Sequence, residues 1–491
     1  MNDFVISLLL LGAISSSGGN LPFWATANRF GVMPDAGGGL ALLQFESEFD
    51  ESKTLQWRMG MSAGLRTDSF NYKDRILDQA YASFRWHKIR LDAGLWHPEQ
   101  HFMSADRELG TLSTTAGFSI MSGNARPFPG YSLNLEPWDV PLTNGHLQVM
   151  GRYGDYFATG ERFVSGSMVH NSELMLRGNI GEHFSLTAGL SLWSMWGGTH
   201  PTEGEFKKNF INYLRVVSGS HGGSDAPGGE QINVLGDHRG CEIIRLDWKE
   251  KDWSLAFQHD IPFDDMSGLS FKNFPDGVNT LSFSHKDKSL WVSDVVYEYA
   301  NTLDQSGTEE RRLATADEIA KGDPRLYTAP DGQVYFITGG ADNYYNNYLY
   351  RSGWTSYGRT IGNPLFWPRG TADGTWSRFG ITQGVWNNLL VAHHLGVSGS
   401  LAKVLPYKLM LTYSESYGSY LSEDFIYGTG SRLEKPLKQM SSAFMLEVPL
   451  WEGIIKVVPA VYYDAGEALT SSFGATISIR YNFTPFILAN I

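Results

Sequence analysis

The chain has 491 residues and a net charge of −13, with 39 Lys+Arg against 52 Asp+Glu, which argues against a nucleic-acid partner. A single cysteine, Cys241, excludes an intrachain disulfide and a cysteine-built metal site. Mean hydropathy is −0.24 and no uncharged apolar run reaches about 18 residues, which argues against helical membrane spans. Aromatics nonetheless make up 13% of the residues and 54 are Gly, the composition of many short alternating strands with Gly-rich connections. A soluble core of this length would normally split into several domains. A large barrel escapes that limit, because lipid solvates its outside and its lumen can hold water.

The apolar stretch over 4–14, FVISLLLLGAI, has the look of a secretory-signal core, but no Lys or Arg precedes it and no Ala-x-Ala-like site closes it. It reads as the first barrel strand of a mature chain whose signal has been removed. Clear alternation follows at 54–66, where Leu55, Trp57, Met59, Met61, Ala63 and Leu65 share one face and Gln56, Arg58, Ser62 and Arg66 lie on the other. The pattern repeats over 78–87, 88–95 and 184–193. It is weaker over 40–49, 131–136, 145–153, 170–179, 241–249, 253–259, 278–285 and 290–299, and again over 388–401, 406–414, 440–449 and 454–463. The closing stretch 473–483, FGATISIRYNF, is the clearest of all. Its odd positions are apolar or aromatic and its even positions small or polar, over about the 9–11 residues that a tilted strand needs to cross a bilayer. It ends on Phe483, which suits an interfacial girdle.

Together these stretches make about 18 strands in one domain over 1–491, an even number as bacterial outer-membrane barrels have. Short joins at 50–53, 87–88, 181–183, 250–252, 286–289, 402–405 and 451–453 all fall at one end if the first strand runs upward. Long segments at 15–39, 97–130, 194–240, 300–387 and 417–439 fall at the other. This predicts an all-β fold, a closed antiparallel transmembrane β-barrel in a bacterial outer membrane, with periplasmic turns and long extracellular loops. Such a barrel leaves an aqueous channel unless its loops plug it. Within the longest loop, 308–323 is expected to form a short helix, capped by Thr308 and stopped by Gly322 ahead of Pro324.

Several loop stretches carry a family resemblance: LPFWATANRFG at 21–31, LSTTAGFSIMSGNARPFP at 112–129, YEYANTLDQSG at 297–307, DNYYNNYLYRSGW at 342–354 and GRTIGNPL at 358–365. They resemble the capsule-assembly Wzi family of outer-membrane proteins in its Bacteroidetes form, whose chains end in a strand like 474–483. The resemblance implies an 18-stranded barrel acting as a lectin that tethers capsular polysaccharide at the cell surface. Enterobacterial members have a periplasmic helical segment ahead of the barrel, whereas this chain opens on a strand.

Read from the residues alone, the best strands place Arg58, Arg66, Arg85, Arg90 and Arg480 on the lumen side, with Lys88 and Arg245, against Asp92 and Asp247. Guanidinium groups offer paired donors that suit the carboxylates of acidic polysaccharides; equally, they can pair with loop acids and pack the lumen. Asn124, Arg126, Tyr344, Trp354, Tyr357 and Arg359 are the candidate polysaccharide contacts, by hydrogen bonding or by stacking on sugar faces. Packing among the loops is the competing role for each. The G-x-S-x-G pattern at 60–64 falls in mid-strand instead of a strand–turn–helix, so Ser62 is not expected to be catalytic. His97 with His101, and His393 with His394, lack the context of a metal site. The expectation is a non-enzymatic barrel with no metal or cofactor, binding capsular or extracellular polysaccharide amid outer-membrane lipid and lipopolysaccharide, its protein partners unassigned. A porin or solute-specific channel is the alternative reading. A barrel hydrolase is the third, since triads are spatial and not sequential.

Overall fold

Period-two alternation becomes a single closed sheet in the computed structural model, which describes residues 4–16, 19–68, 73–99, 110–115, 118–231, 234–264, 271–306, 310–322, 326–328, 332–338, 342–368, 384–419 and 433–483. The first six strands are β1 (Phe4–Ser15), β2 (Gly38–Ser47), β3 (Leu55–Asp68), β4 (Lys73–Trp86), β5 (Ile89–Leu95) and β6 (Gly130–Asp139). Then come β7 (Leu147–Phe157), β8 (Met168–Ile180), β9 (Phe184–Trp196), β10 (Asp237–Lys249), β11 (Trp253–Asp264) and β12 (Gly277–His285). The last six are β13 (Asp294–Asn301), β14 (Leu390–Leu401), β15 (Leu405–Ser416), β16 (Leu437–Leu446, prolonged by Val448–Leu450), β17 (Ile455–Gly466) and β18 (Ser472–Phe483). Each pairs antiparallel with its sequence neighbours, and β1 closes on β18 from Ile6 opposite Phe483 to Ser15 opposite Gly474. All 18 expected strands form. The strand expected over 290–299 starts only at Asp294, because Leu290, Trp291 and Val292 are spent in an exposed turn whose Lys288 binds the Asp294 carboxylate.

Alternation sorts the two faces. On β18, Phe473 and Ile477 are 48% and 52% exposed on the outside, while Thr476 and Ser478 are 7% and 3% exposed on the inside. A row of outward Leu, Phe and Ile is what lipid solvates at no hydrophobic cost. β1 departs from the rule. Its inward Leu9, Leu11 and Ala13 are as apolar as its outward Leu8, Leu10 and Ile14, because the inward three pack on Leu21, Trp24, Ala25 and Met33 of the first loop. A strand apolar on both faces is why 4–14 reads like a signal core.

The expected short joins all lie at one end of the barrel. The opposite end is not uniformly long, however: β3 and β4 are joined by 69–72 alone, and β17 and β18 by 467–471. Loop length therefore orients the barrel without being a strict rule for its outer face. The helix expected at 308–323 is shorter, Ala316–Lys321, and stops at left-handed Gly322. Thr315 caps it, in a capping box with Glu318, where Thr308 was expected; residue 308 lies outside the described residues.

Candidate functional site at the outer mouth of the barrel

The stretches that carry the family resemblance are packed inside the barrel mouth, tied to inward side chains of the wall. Glu298 on β13 receives the hydroxyl of Ser113, and at 2.7 and 2.6 Å the amide and hydroxyl of Thr114. Asp260 on β11 receives the amide and hydroxyl of Ser119, the latter at 2.8 Å. Trp24 Nε1 donates to Thr412 on β15 at 3.0 Å, and His394 on β14 bonds the Leu112 carbonyl at 2.8 Å. Each carboxyl gathers two or three donors from one loop stretch, so buried amides and hydroxyls of the loop are satisfied by the wall. Loop binds loop in the same way: Asn28 Nδ2 donates to the Thr114 carbonyl at 2.9 Å, and Tyr345 OH to that of Ser119. At the rim, burial pushes the Asp276 carboxyl up to about 6, although it accepts the amides of Asp304 and Gln305. Burial likewise lifts Glu230 to about 7, its Oε1 accepting the Gly236 amide at 2.9 Å.

Three of the six candidate polysaccharide contacts sit within this packing. Trp354 is fully buried, its Nε1 donating to the Ile120 carbonyl at 2.7 Å and its ring 5.8 Å from that of Trp193. Tyr344 is buried with its hydroxyl on Asp276 at 2.9 Å. Asn124 is buried with Nδ2 on the Thr360 carbonyl at 2.9 Å. The other three lie nearer the surface. Tyr357 is 54% exposed in the turn of the hairpin formed by Thr355–Ser356 and Arg359–Thr360. The guanidinium of Arg126 lies 4.7 Å from its ring centre, and Arg359 pairs with Asp35. The hairpin is fixed from below by Trp354 and Asn124, so an exposed ring stands on a rigid base.

Of the lumen arginines, Arg58, Arg85 and Arg90 are paired towards the periplasmic end and Arg66 near the outer end of β3. Arg58 meets Glu99 at 2.6 Å, and Arg90 meets Asp92 at 3.1 Å and Glu99 at 2.7 Å. Arg85 meets Glu51 and, at 3.7 Å, Glu136. Arg66 donates to the Met33 carbonyl at 3.1 Å and meets Asp74 at 3.4 Å. Arg480 lies on the inward face of β18, half-buried. Ser62 is fully buried on the inward side of β3, with no His beside it in the register. His393 faces out towards Tyr297, His394 faces in, and His97 stacks on Phe30 beside Asp78. His101 lies outside the described residues. Among the described residues no three His, Cys, Asp or Glu side chains group as metal ligands.

The whole sheet can be compared with solved barrels. Wzi, described as an outer-membrane protein involved in group 1 capsule assembly in Escherichia coli and a carbohydrate-binding β-barrel, superposes with a TM-score of 0.57 at 12% identity, over 97% of this chain and 84% of that one. The fold is that of a Wzi-like outer-membrane barrel. Pseudomonas aeruginosa OccD3 is more distant, at a TM-score of 0.45 and 10% identity over 98% of this chain and 91% of its own. OccK2 from the same organism, in complex with glucuronate, stands at 0.44 and 10% over 99% and 98%. No family model matches the chain, and no curated protein matches it in sequence.

Sequence reading missed Asp260, Glu298 and Asp276. A carboxylate at the inward position of a strand, within four residues of its outer end, is the signal that could have found the first two.

Proposed function

We propose that this barrel binds an acidic capsular or extracellular polysaccharide at its outer face, as a Wzi-family protein of the Bacteroidetes form seated in the outer membrane among lipid and lipopolysaccharide. The observation that carries the reading is the exposed ring of Tyr357 with the guanidinium of Arg126 against it and Arg359 two residues on in the same hairpin. A sugar ring stacks on a flat aromatic face, and a uronate carboxylate accepts paired donors from a guanidinium. Among the described residues Arg126 pairs with Asp74 at 3.4 Å, a carboxylate it shares with Arg66, and Arg359 pairs with the solvent-exposed Asp35, a partner weakly enough held to exchange for a ligand carboxylate. Holding the polymer in this way needs no catalysis, metal or cofactor.

Binding of purified acidic polysaccharide to the detergent-solubilised protein tests the proposal. Tyr357→Ala combined with Arg359→Ala should weaken binding at least about tenfold while the barrel stays folded. A neutral polymer should bind less well than an acidic one, and the difference should shrink with salt. Unchanged affinity in the double variant, together with a large steady current in planar bilayers, would favour a channel.

A further inference from the structure

We propose a second site, on the lipid-facing wall: a Ser172–His170–Asp155 triad that hydrolyses the acyl ester of a membrane lipid. Ser172 and His170 stand two apart on β8, opposite Tyr153 and Asp155 of β7, all on the outward side that Leu174 and Phe157 also occupy. Ser172 Oγ is 2.8 Å from His170 Nε2, and His170 Nδ1 is 2.9 Å from Asp155 Oδ1. Asp155 Oδ2 also accepts the hydroxyls of Tyr131 at 2.7 Å and Tyr213 at 2.9 Å. With both hydroxyls donating to it, the Asp155 carboxylate is placed as an acceptor towards His170 Nδ1 as well. His170 must therefore carry its proton on Nδ1, leaving the Nε2 lone pair for the Ser172 hydroxyl. That tautomer and that order of contacts define a nucleophile, a general base and a positioning acid.

The surroundings name the substrate class. Ser172 lines a groove of about 430 Å³ on the outer wall, with Ile89, Leu133, Leu135, Leu174 and Leu190. The groove runs past Gly151, where a Cβ would come within 2.5 Å of the Glu173 carbonyl oxygen. Its lining suits a long acyl chain. His170 and Asp155 are buried beneath the helix Phe210–Ser218, which lies against the outside of the wall and is held there by Tyr213 and by His238 Nε2 on the Val216 carbonyl at 2.9 Å. That helix turns Phe210, Ile211 and Leu214 outward, as an element lying in a membrane interface does. Water-filled loops have no use for such a face; lipid does.

In the first step His170 Nε2 takes the Ser172 proton as Oγ bonds to the ester carbonyl carbon. The carbon–oxygen bond to the lipid alcohol then breaks, and the alcohol leaves with that proton. A water molecule, deprotonated by the same nitrogen, attacks the acyl carbon; the bond from that carbon to Oγ breaks, Oγ takes back the proton from Nε2, and the fatty acid leaves. Nothing else is consumed. The carboxylic ester can come from a phospholipid or from lipopolysaccharide, and the proposal departs here from the sequence-based expectation of a protein without enzymatic activity.

The test uses the full chain in mixed micelles, one arm with phosphatidylethanolamine and one with lipopolysaccharide, and measures released fatty acid by mass spectrometry. Release should fall at least about 10³-fold in Ser172→Ala and at least about 10²-fold in His170→Gln, with Ser62→Ala unaffected. Asp155→Asn should lower kcat with little change in KM, which a residue that merely ties down the helix would not do. A fluorophosphonate should label Ser172. Release in a single arm supports the assignment and names the lipid source. Release no greater than that of Ser172→Ala in both arms overturns it and leaves the three side chains as the clamp that binds the helix to the wall.

Discussion

Trp354 was a candidate sugar contact and is instead the most deeply set ring of the outer loops, so removing it tests the plug directly. Trp354→Ala deletes a fully buried indole and leaves the Ile120 carbonyl without its 2.7 Å donor. Truncating a buried Trp costs about 3–5 kcal/mol. The wall is held by its own ladder around the full circle, so the loss should fall on the loops and not on the barrel. At about 1.4 kcal/mol per tenfold, the open population of the 342–368 segment should rise by roughly 10²- to 4 × 10³-fold. Hydrogen exchange measured by mass spectrometry reads this locally, with faster exchange expected over 118–129 and 342–368. Heat-modified gel migration reads the wall, where no change is expected. Trp354→Phe, which keeps a ring but not the donor, should show about 1–3 kcal/mol of the effect. Exchange unchanged in the loops, or a loss confined to the wall, would refute the role assigned to this side chain.

Glu298→Gln puts an amide where three donors converge, and protease cleavage within 110–115 should accelerate by at least about tenfold. Gly396→Ala places a Cβ 2.2 Å from the Leu112 carbonyl oxygen, so the same segment should shift while β14 and its neighbours still pair, as crystallography or crosslinking would reveal. Glu230 and Asp276 hold their protons to about pH 7 and about pH 6, above the ordinary 4.5 and 3.8. Between those values the folded state binds more protons than the unfolded one, so the loops should lose stability as pH rises through that window. Near-ultraviolet melting should therefore occur higher at pH 5 than at pH 8, and Glu230→Gln with Asp276→Asn should flatten the difference. Thr315→Ala should unwind Ala316–Lys321 with no effect on the barrel, at a cost of about 0.5–2 kcal/mol visible as local exchange.

The wall was legible because lipid on one side and polar lumen on the other impose a period of two that no local contact has to supply. The weak strands are informative. Over 170–179 the outward positions include polar His170 and Ser172, which blur the alternation; a helix about 40 residues further on covers His170, and Ser172 opens on the groove. The plug was not legible, although its residues stood out as motifs. Ser119 meets Asp260 across 141 positions and Trp354 meets Ile120 across 234, and no spacing rule says which loop turns inward. An aromatic such as Trp354 or Tyr357 looks the same in the sequence whether it faces a sugar or a core. For Ser172 the missing signal was the partner strand: the i, i+2 His and Ser are visible, but Asp155 joins them only through register.

The oily inner lining of β1 limits how this mouth could ever open. Withdrawing the first loop would wet Leu9, Leu11, Leu40, Leu42 and Trp24 together, a penalty on the order of 10 kcal/mol. That segment is thus a permanent stopper, set beside the seam where first and last strands meet. Any passage for a solute or a polymer must be cut on the opposite flank, where the tethers are carboxylates and hydroxyls that water can replace.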